Sequence, residues 1–143
     1  MVYLSLVSFS TGICLILLTY KGKILLLQQE NILEPQNSDA WHFIMKIKPK
    51  DTSADKAIIQ EVERETRIKL EAVTLLSQTV EKNIIQYLFH SKLSDKHVNN
   101  IERAEGRILQ FFGIHELAKL QIQPSTQSFF HNNISQIQQL STL

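Results

Sequence analysis

Residues 12–20, GICLILLTY, and 24–27, ILLL, are two nearly unbroken apolar runs separated only by Lys21-Gly22-Lys23. With the preceding MVYLSLVSFST, the first run approaches the roughly 20 residues that a membrane-crossing helix needs. It lacks a basic region at its start, carries Ser5, Ser8, Ser10, Thr11 and Thr19, and ends at a turn-like Lys-Gly. Buried strands joined by a turn fit this pattern better than a span, so no membrane attachment is expected. Residues 2–8 and 12–20 read as strands with Gly12 as a bulge or bend between them, and 23–29 reads as the hairpin partner.

Further along, Glu30 to Ala40 holds Asn31, Pro35, Asn37, Ser38 and Asp39 and reads as an exposed loop. Trp41 to Lys48, WHFIMKIK, alternates like a strand or strand pair. Pro49-Lys50-Asp51 turns the chain, and Thr52 to Asp55 supplies a helix start, with Thr52 and Asp55 at capping-box spacing. The helix is predicted to run to about Thr66. Residues 70–80 and 83–91 form a predicted hairpin around Glu81-Lys82-Asn83, and 92–106 a polar loop. Arg107 to Phe112 reads as a strand, His115 to Leu120 as a short helix, and Ser125 to about Leu140 as a final helix. This order predicts an α+β fold with a mixed sheet, in one domain over 1–143 whose C-terminal helix and tail begin near residue 125.

The 143 residues are 43% hydrophobic and 20% charged, which suits a packed domain rather than a disordered chain. A net charge of +1 gives no overall attraction to nucleic acid, and basic-aromatic interleaving is weak, so no nucleic acid polymer is expected as a partner. Cys14, the single cysteine, lies in an apolar run and reads as a buried structural thiol, compatible with a reducing, cytoplasmic setting. The sequon Asn133-Ile134-Ser135 matters only in a secreted protein. His42, His90, His97, His115 and His131 are scattered, and no phosphate-loop, dinucleotide, nucleophile-elbow or paired-cysteine motif is present.

The helix AIIQEVERET is unusual in one respect. At 100° per residue, Ala54, Ala57, Ile58 and Val62 form an apolar stripe, and Glu61 and Glu65 fall inside it. Two carboxylates so placed cost several kcal/mol each, on the order of a buried ion's penalty, unless something pairs with them. Two remedies are open: a divalent cation such as Mg²⁺, which prefers carboxylate oxygen, or a protein cation, with Arg64 at i+3 from Glu61 and adjacent to Glu65. The first makes a catalytic centre, the second a structural ion pair.

The stretch resembles a degenerate Nudix box. The family pattern is Gly, five residues, Glu, seven residues and REUxEExGU, with U aliphatic, preceded by W-x-F-P-G-G. Trp41 and Phe43 match the Trp and Phe, Ala57 a common small helix residue, and Glu61, Val62, Glu65 and Ile68 the E, U, E and U positions. Lys46 stands for the first Gly, Thr52 for the first Glu, Gln60 for Arg, Arg64 for the first Glu of the pair, and Arg67 for Gly. EGRILQFFGIHELAKLQIQP is similar to a stretch of MutT-type members, in which an EG leads into an aromatic strand, a short helix and a Pro. The resemblance spans about residues 10–131 and implies an α/β/α sandwich around the box helix.

It further implies a Mg²⁺- or Mn²⁺-dependent pyrophosphohydrolase acting on a nucleoside diphosphate linked to another group, such as a nucleotide sugar. Glu61 and Glu65 would be catalytic and metal-binding, Glu105 an auxiliary ligand, and Met45 a carbonyl donor. Lys46, Lys48 and Arg64 would face substrate phosphate, although lysines 46, 48 and 50 also read as the solvated side of a strand. Arg64 puts a cation where members have a carboxylate, so weak or lost turnover is expected. The alternative is an inactive nucleotide-binding or regulatory module. Tyr87, Phe89 and Phe129 either line a base pocket or belong to the core.

Overall fold

The structure, a computed structural model, describes residues 11–29 and 40–141; the strand expected over 2–8 and most of the loop expected over 30–40 lie outside them. Strands β1 (Thr11–Tyr20) and β2 (Lys23–Gln29) come first, followed by the short β3 (Trp41–His42) and β4 (Ile44–Ile47) and helix α1 (Ala54–Thr66). Strands β5 (Thr74–Glu81) and β6 (Ile84–Lys92), helix α2 (Asp95–Asn99) and β7 (Arg107–Gly113) follow. A 3-10 turn over Ile114–Lys119 and helix α3 (Pro124–Ser141) complete the order.

β1 is the organising strand. It runs parallel to β6 from Thr11↔Ile84 to Thr19↔Lys92. Its other edge is shared: Ile13 to Ile16 pair antiparallel with β4, and Thr19 and Tyr20 with the start of β2. β2 continues the sheet to β7 and to β3, and β5 flanks β6, which makes the sheet mixed as the element order predicts. The apolar run does not alternate with polar residues because both faces are covered. Cys14, Ile16 and Leu18 pack with Ala57, Ile58 and Val62 of α1. Leu15 and Leu17 point the other way, to Phe43, Phe112, Phe129, Phe130 and Ile137. Burial pushes the Cys14 thiol up to about 11, as befits an inert core residue.

Local chemistry fixes the corners. Lys21 and Gly22, at φ 46° and 78°, turn β1 into β2, and Lys82 and Asn83, at 51° and 65°, turn β5 into β6. Both pairs have the two positive φ angles that match the twist of a two-residue hairpin. The C-terminal helix is tied to the sheet by the Phe43 N–H, which donates to the buried Thr126 Oγ1 at 3.2 Å. Trp41 exchanges backbone bonds with Gln121 and Gln123, at 2.8 and 2.9 Å. Asn133 leaves helical geometry within α3 (φ −126°, ψ 20°), and its Nδ2 donates to the Phe129 carbonyl at 3.0 Å.

Two expectations need correction. The capping box between Thr52 and Asp55 does not form: the N-cap is Ser53, without a side-chain cap bond, and the Thr52 hydroxyl donates instead to Asp51 at 3.5 Å. A hydrogen bond from Ser53 and the Lys56 N–H hold the Asp55 carboxyl below its ordinary range, so its charge is spent locally. The polar segment 92–106 is not all loop. Ser94 and His97 cap each other reciprocally, the Ser94 N–H donating to His97 Nδ1 and the His97 N–H to Ser94 Oγ, both at 3.1 Å, and this starts α2.

A lysine in the left-handed region costs roughly 1 kcal/mol relative to a residue that tolerates it. Replacing Lys82-Asn83 by Asn-Gly relieves that strain, and the expected rise in melting temperature is about 2–4 °C. An unchanged or lower value in a thermal scan would contradict the turn geometry.

Candidate functional site

The inward face of α1 carries its acids into the core as the periodicity predicts. Glu61 is 6% exposed and Glu65 2%. Arg64 reaches back over both. Its Nε donates to Glu61 Oε1 at 3.0 Å and its Nη2 to Glu61 Oε2 at 2.6 Å, a two-point fork on one carboxylate. The same Nη2 donates to Glu65 Oε1 at 2.9 Å. The remaining oxygen, Glu65 Oε2, accepts from Arg107 Nε at 3.2 Å. Two carboxylates and two guanidiniums thus neutralise one another, and all four carboxylate oxygens are engaged. The bonds from Glu61 raise the Arg64 pKa above the ordinary arginine value, so its charge is permanent.

Arg107 arrives from the sheet. The turn 104–107 is closed by the Arg107 N–H on the Ala104 carbonyl at 3.1 Å, with Gly106 at φ 79° where a side chain would be strained. That turn is bolted to the end of α1, because the N–H groups of Glu102 and Ala104 donate to the carbonyls of Thr66 and Glu65 at 2.9 and 3.2 Å. The same backbone bonds close the end of the helix, and they carry the start of β7 to Glu65. His42, on β3, stands in the field of both Arg107 and Glu65. Its Nδ1 donates to the Phe43 carbonyl at 2.7 Å. Burial, with the Arg107 charge assisting, pushes the imidazole below the usual histidine range against the opposing pull of Phe43 and Glu65.

The other residues singled out in the sequence lie elsewhere. Glu105 is exposed in the 104–107 turn, and among the described residues no three His, Cys, Asp or Glu side chains gather as a metal site. Lys46 is exposed on β4; Lys48 lies half-buried beyond it, its stem against Gly12, where an added Cβ would stand 3.1 Å away. Among the described residues neither lysine ion-pairs with Glu61 or Glu65. Phe89 is core, Tyr87 stacks on it at 6.4 Å, and Phe129 belongs to the opposite core. Neither Arg107 nor His42 is a site candidate from the sequence, where Arg107 only opens a strand and His42 is one of five scattered histidines. Arg107 lies 42 positions from its partner Glu65, and no period links them.

As arranged, these donors do not fit a divalent cation. A hard ion needs free carboxylate oxygens, and here each already holds an arginine N–H, with two positive charges in place. Arg64 itself retains capacity: its side chain is 58% exposed, and among the described residues its Nη1 makes no hydrogen bond.

No protein-family model matches this sequence, and no curated protein matches it. Solved structures match its fold. A MutT structure from work on Aliivibrio salmonicida and Vibrio cholerae aligns at TM-score 0.73 and 14% identity, over 88% of this chain and 98% of that one. A Nudix hydrolase from Nitrosomonas europaea aligns at 0.71 and 14% identity, over 89% of this chain and 71% of that one. The Nudix domain of Shewanella oneidensis NrtR, solved with ADP ribose, aligns at 0.64 and 9% identity, over 88% and 87%. The chain has the Nudix fold.

Two outcomes follow from the network. Arg64→Ala leaves Glu61 without its partner; because the lost guanidinium is largely exposed, the expected destabilisation is held to about 1–2 kcal/mol, below that for a fully buried pair. Urea unfolding measures it, and a change within error would contradict the pairing. His42 is kept neutral in the folded chain, while the unfolded chain takes up a proton below about pH 6.5. Its contribution to stability is therefore complete above that pH and is lost as pH falls toward the depressed folded value. His42→Gln is expected to flatten the fall in melting temperature below pH 6.5; an unaltered slope would count against the neutral ring.

Proposed function

We propose that this Nudix-fold chain is a binding module for a nucleoside diphosphate-type ligand, in which Arg64 takes the electrostatic place of a divalent cation and hydrolysis is lost. The observation that carries this reading is the complete engagement of Glu61 and Glu65 by Arg64 and Arg107. In metal-dependent hydrolysis of a diphosphate, a cation neutralises the phosphates and orients or ionises water. An arginine supplies the first of these effects and not the second, because guanidinium neither ionises a water nor accepts its proton.

The acids then have a different task. They fix a long, flexible side chain in one orientation, so that less entropy is lost when the arginine meets a ligand. The Nη1 edge of Arg64 is the donor left for a phosphate oxygen, and Arg107 braces Glu65 from behind, with the half-buried His42 in the field of both. Lys46 and Lys48 on the β4 side would add point charges to the same ligand. The fold neighbours support this ligand class: the NrtR domain was solved with ADP ribose, and the other two are MutT and a Nudix hydrolase. The alternative, residual Mg²⁺- or Mn²⁺-dependent hydrolysis with Glu61, Glu65 and Glu105 as ligands, requires Arg64 to swing out. Its exposure is the one observation that favours this.

A panel of nucleoside triphosphates, nucleotide sugars, ADP ribose and dinucleoside polyphosphates, assayed for phosphate or pyrophosphate release with Mg²⁺, Mn²⁺ or chelator, separates the two. The expected result is no turnover above the metal blank, with calorimetric binding of a panel member that survives chelator and weakens at least tenfold in Arg64→Ala. Metal-dependent turnover that Glu61→Gln abolishes would overturn the binding-module reading. Arg64→Glu, which restores a carboxylate, is expected to gain a melting-temperature rise with millimolar Mn²⁺ that the parent chain lacks.

A further inference from the structure

Arg67, Ile68, Lys69, Glu71, Lys96, His97 and Asn100 line an open cavity of about 390 Å³ between the end of α1 and helix α2. Its lining carries one arginine, two lysines and one glutamate, a formal excess of two positive charges on a chain whose whole net charge is +1. Among the described residues no acid lies within ion-pair distance of Arg67, Lys69 or Lys96, although Glu71 belongs to the same lining.

An ordinary role for cations at this place is to cap the negative end of a helix. That role is already filled. The carbonyl of Glu63 accepts the Arg67 N–H at 2.8 Å, and those of Glu65 and Thr66 accept the N–H groups of Ala104 and Glu102. The Val62 carbonyl takes the Thr66 hydroxyl at 2.7 Å. The side chains of Arg67 and Lys69 are therefore not consumed by the helix they follow. Arg67 moreover stands at φ 69°, in the left-handed region, where glycine would sit without strain and arginine does not.

His97 adds a directed donor. Because its Nδ1 accepts the Ser94 N–H at 3.1 Å, the ring proton lies on Nε2, the other edge. The lining thus offers a guanidinium fork, two ammonium groups and an imidazole N–H: donors of the kind that oxyanions accept. Its volume falls in the range of small-molecule sites, about 300–1,000 Å³. An excess of two positive charges matches a compact polyanion better than a singly charged acid.

We infer that this cavity is a second anion site, separate from Glu61 and Glu65, that binds the linked phosphates of a small molecule, whether free diphosphate or the diphosphate of a nucleotide. Arg67 grips one phosphate with its fork, Lys69 and Lys96 neutralise the charge, and His97 Nε2–H orients an oxygen. No metal is needed. The site stands independently of the proposal for Arg64, since its groups come from beyond the end of the helix.

Titration of the ¹⁵N-labelled chain with inorganic pyrophosphate, and separately with ADP, tests this residue by residue. Saturable amide shifts are expected at Ile68, Lys69, His97 and Asn100, with affinity falling as salt rises from 50 to 200 mM. Lys69→Ala/Lys96→Ala, both at exposed positions, should weaken those shifts at least tenfold, whereas Arg64→Gln should leave them in place. Tighter binding of pyrophosphate or of ADP at these residues identifies the source, and either supports the site. Shifts that do not saturate, that persist in the double variant, or that vanish in Arg64→Gln while the chain stays folded would overturn it.

Discussion

Burial of β1 on both faces is the constraint from which the rest of the structure follows. A strand whose side chains from Cys14 to Leu18 are at most 1% exposed must have a cover on each side and hydrogen-bonding neighbours on each edge. The parallel neighbour β6 requires a long connection from β1, and that connection contains β2, β3, β4, α1 and β5. The helix α1 covers one face, and the 3-10 turn and α3 cover the other. Because β4 shares an edge of β1, the basic strand end and the acidic helix are set on neighbouring parts of the fold.

On this scaffold, α1 meets two demands that conflict. Its stripe must be apolar to pack on Cys14, Ile16 and Leu18, yet two of its inward positions are glutamates. Arginine resolves the conflict at short range: a bidentate bond from one turn away satisfies Glu61, and the same nitrogen bridges to Glu65. The resolution has a chemical consequence, since the oxygens that satisfy arginine are those a divalent ion would need. A fold shared with hydrolases therefore does not carry their chemistry along automatically; the site decides.

Much of the fold was legible in the residues. The runs around Lys21-Gly22, the alternation from Trp41, the helix ending at Thr66 and the hairpin at Lys82-Asn83 are local signals, and local signals survive because period and turn chemistry act over a few residues. The failures also have local causes. Ser53, Thr52 and Asp55 had several short-range partners to choose from, and the hydroxyls found Asp51 and Asp55 rather than the helix N–H groups. The helix at Asp95–Asn99 rests on a Ser-His cap, in which histidine substitutes for the usual Glu or Gln.

The sequence by itself determined that the chain would form a mixed sheet with a helix carrying Glu61 and Glu65 inward, because helical period and strand burial are written in residue spacing. It also offered Arg64 as their nearest cation. Only the tertiary structure decided that Arg64 takes that place, that Arg107 completes it, that His42 stands beside them, and that Arg67 and Lys69 meet Lys96 and His97 across a cavity. The reason is physical: periodicity is a property of one segment, whereas charge compensation is a property of pairs. The distant pairs exist only once backbone bonds from Glu102 and Ala104 have brought separate segments to the end of α1.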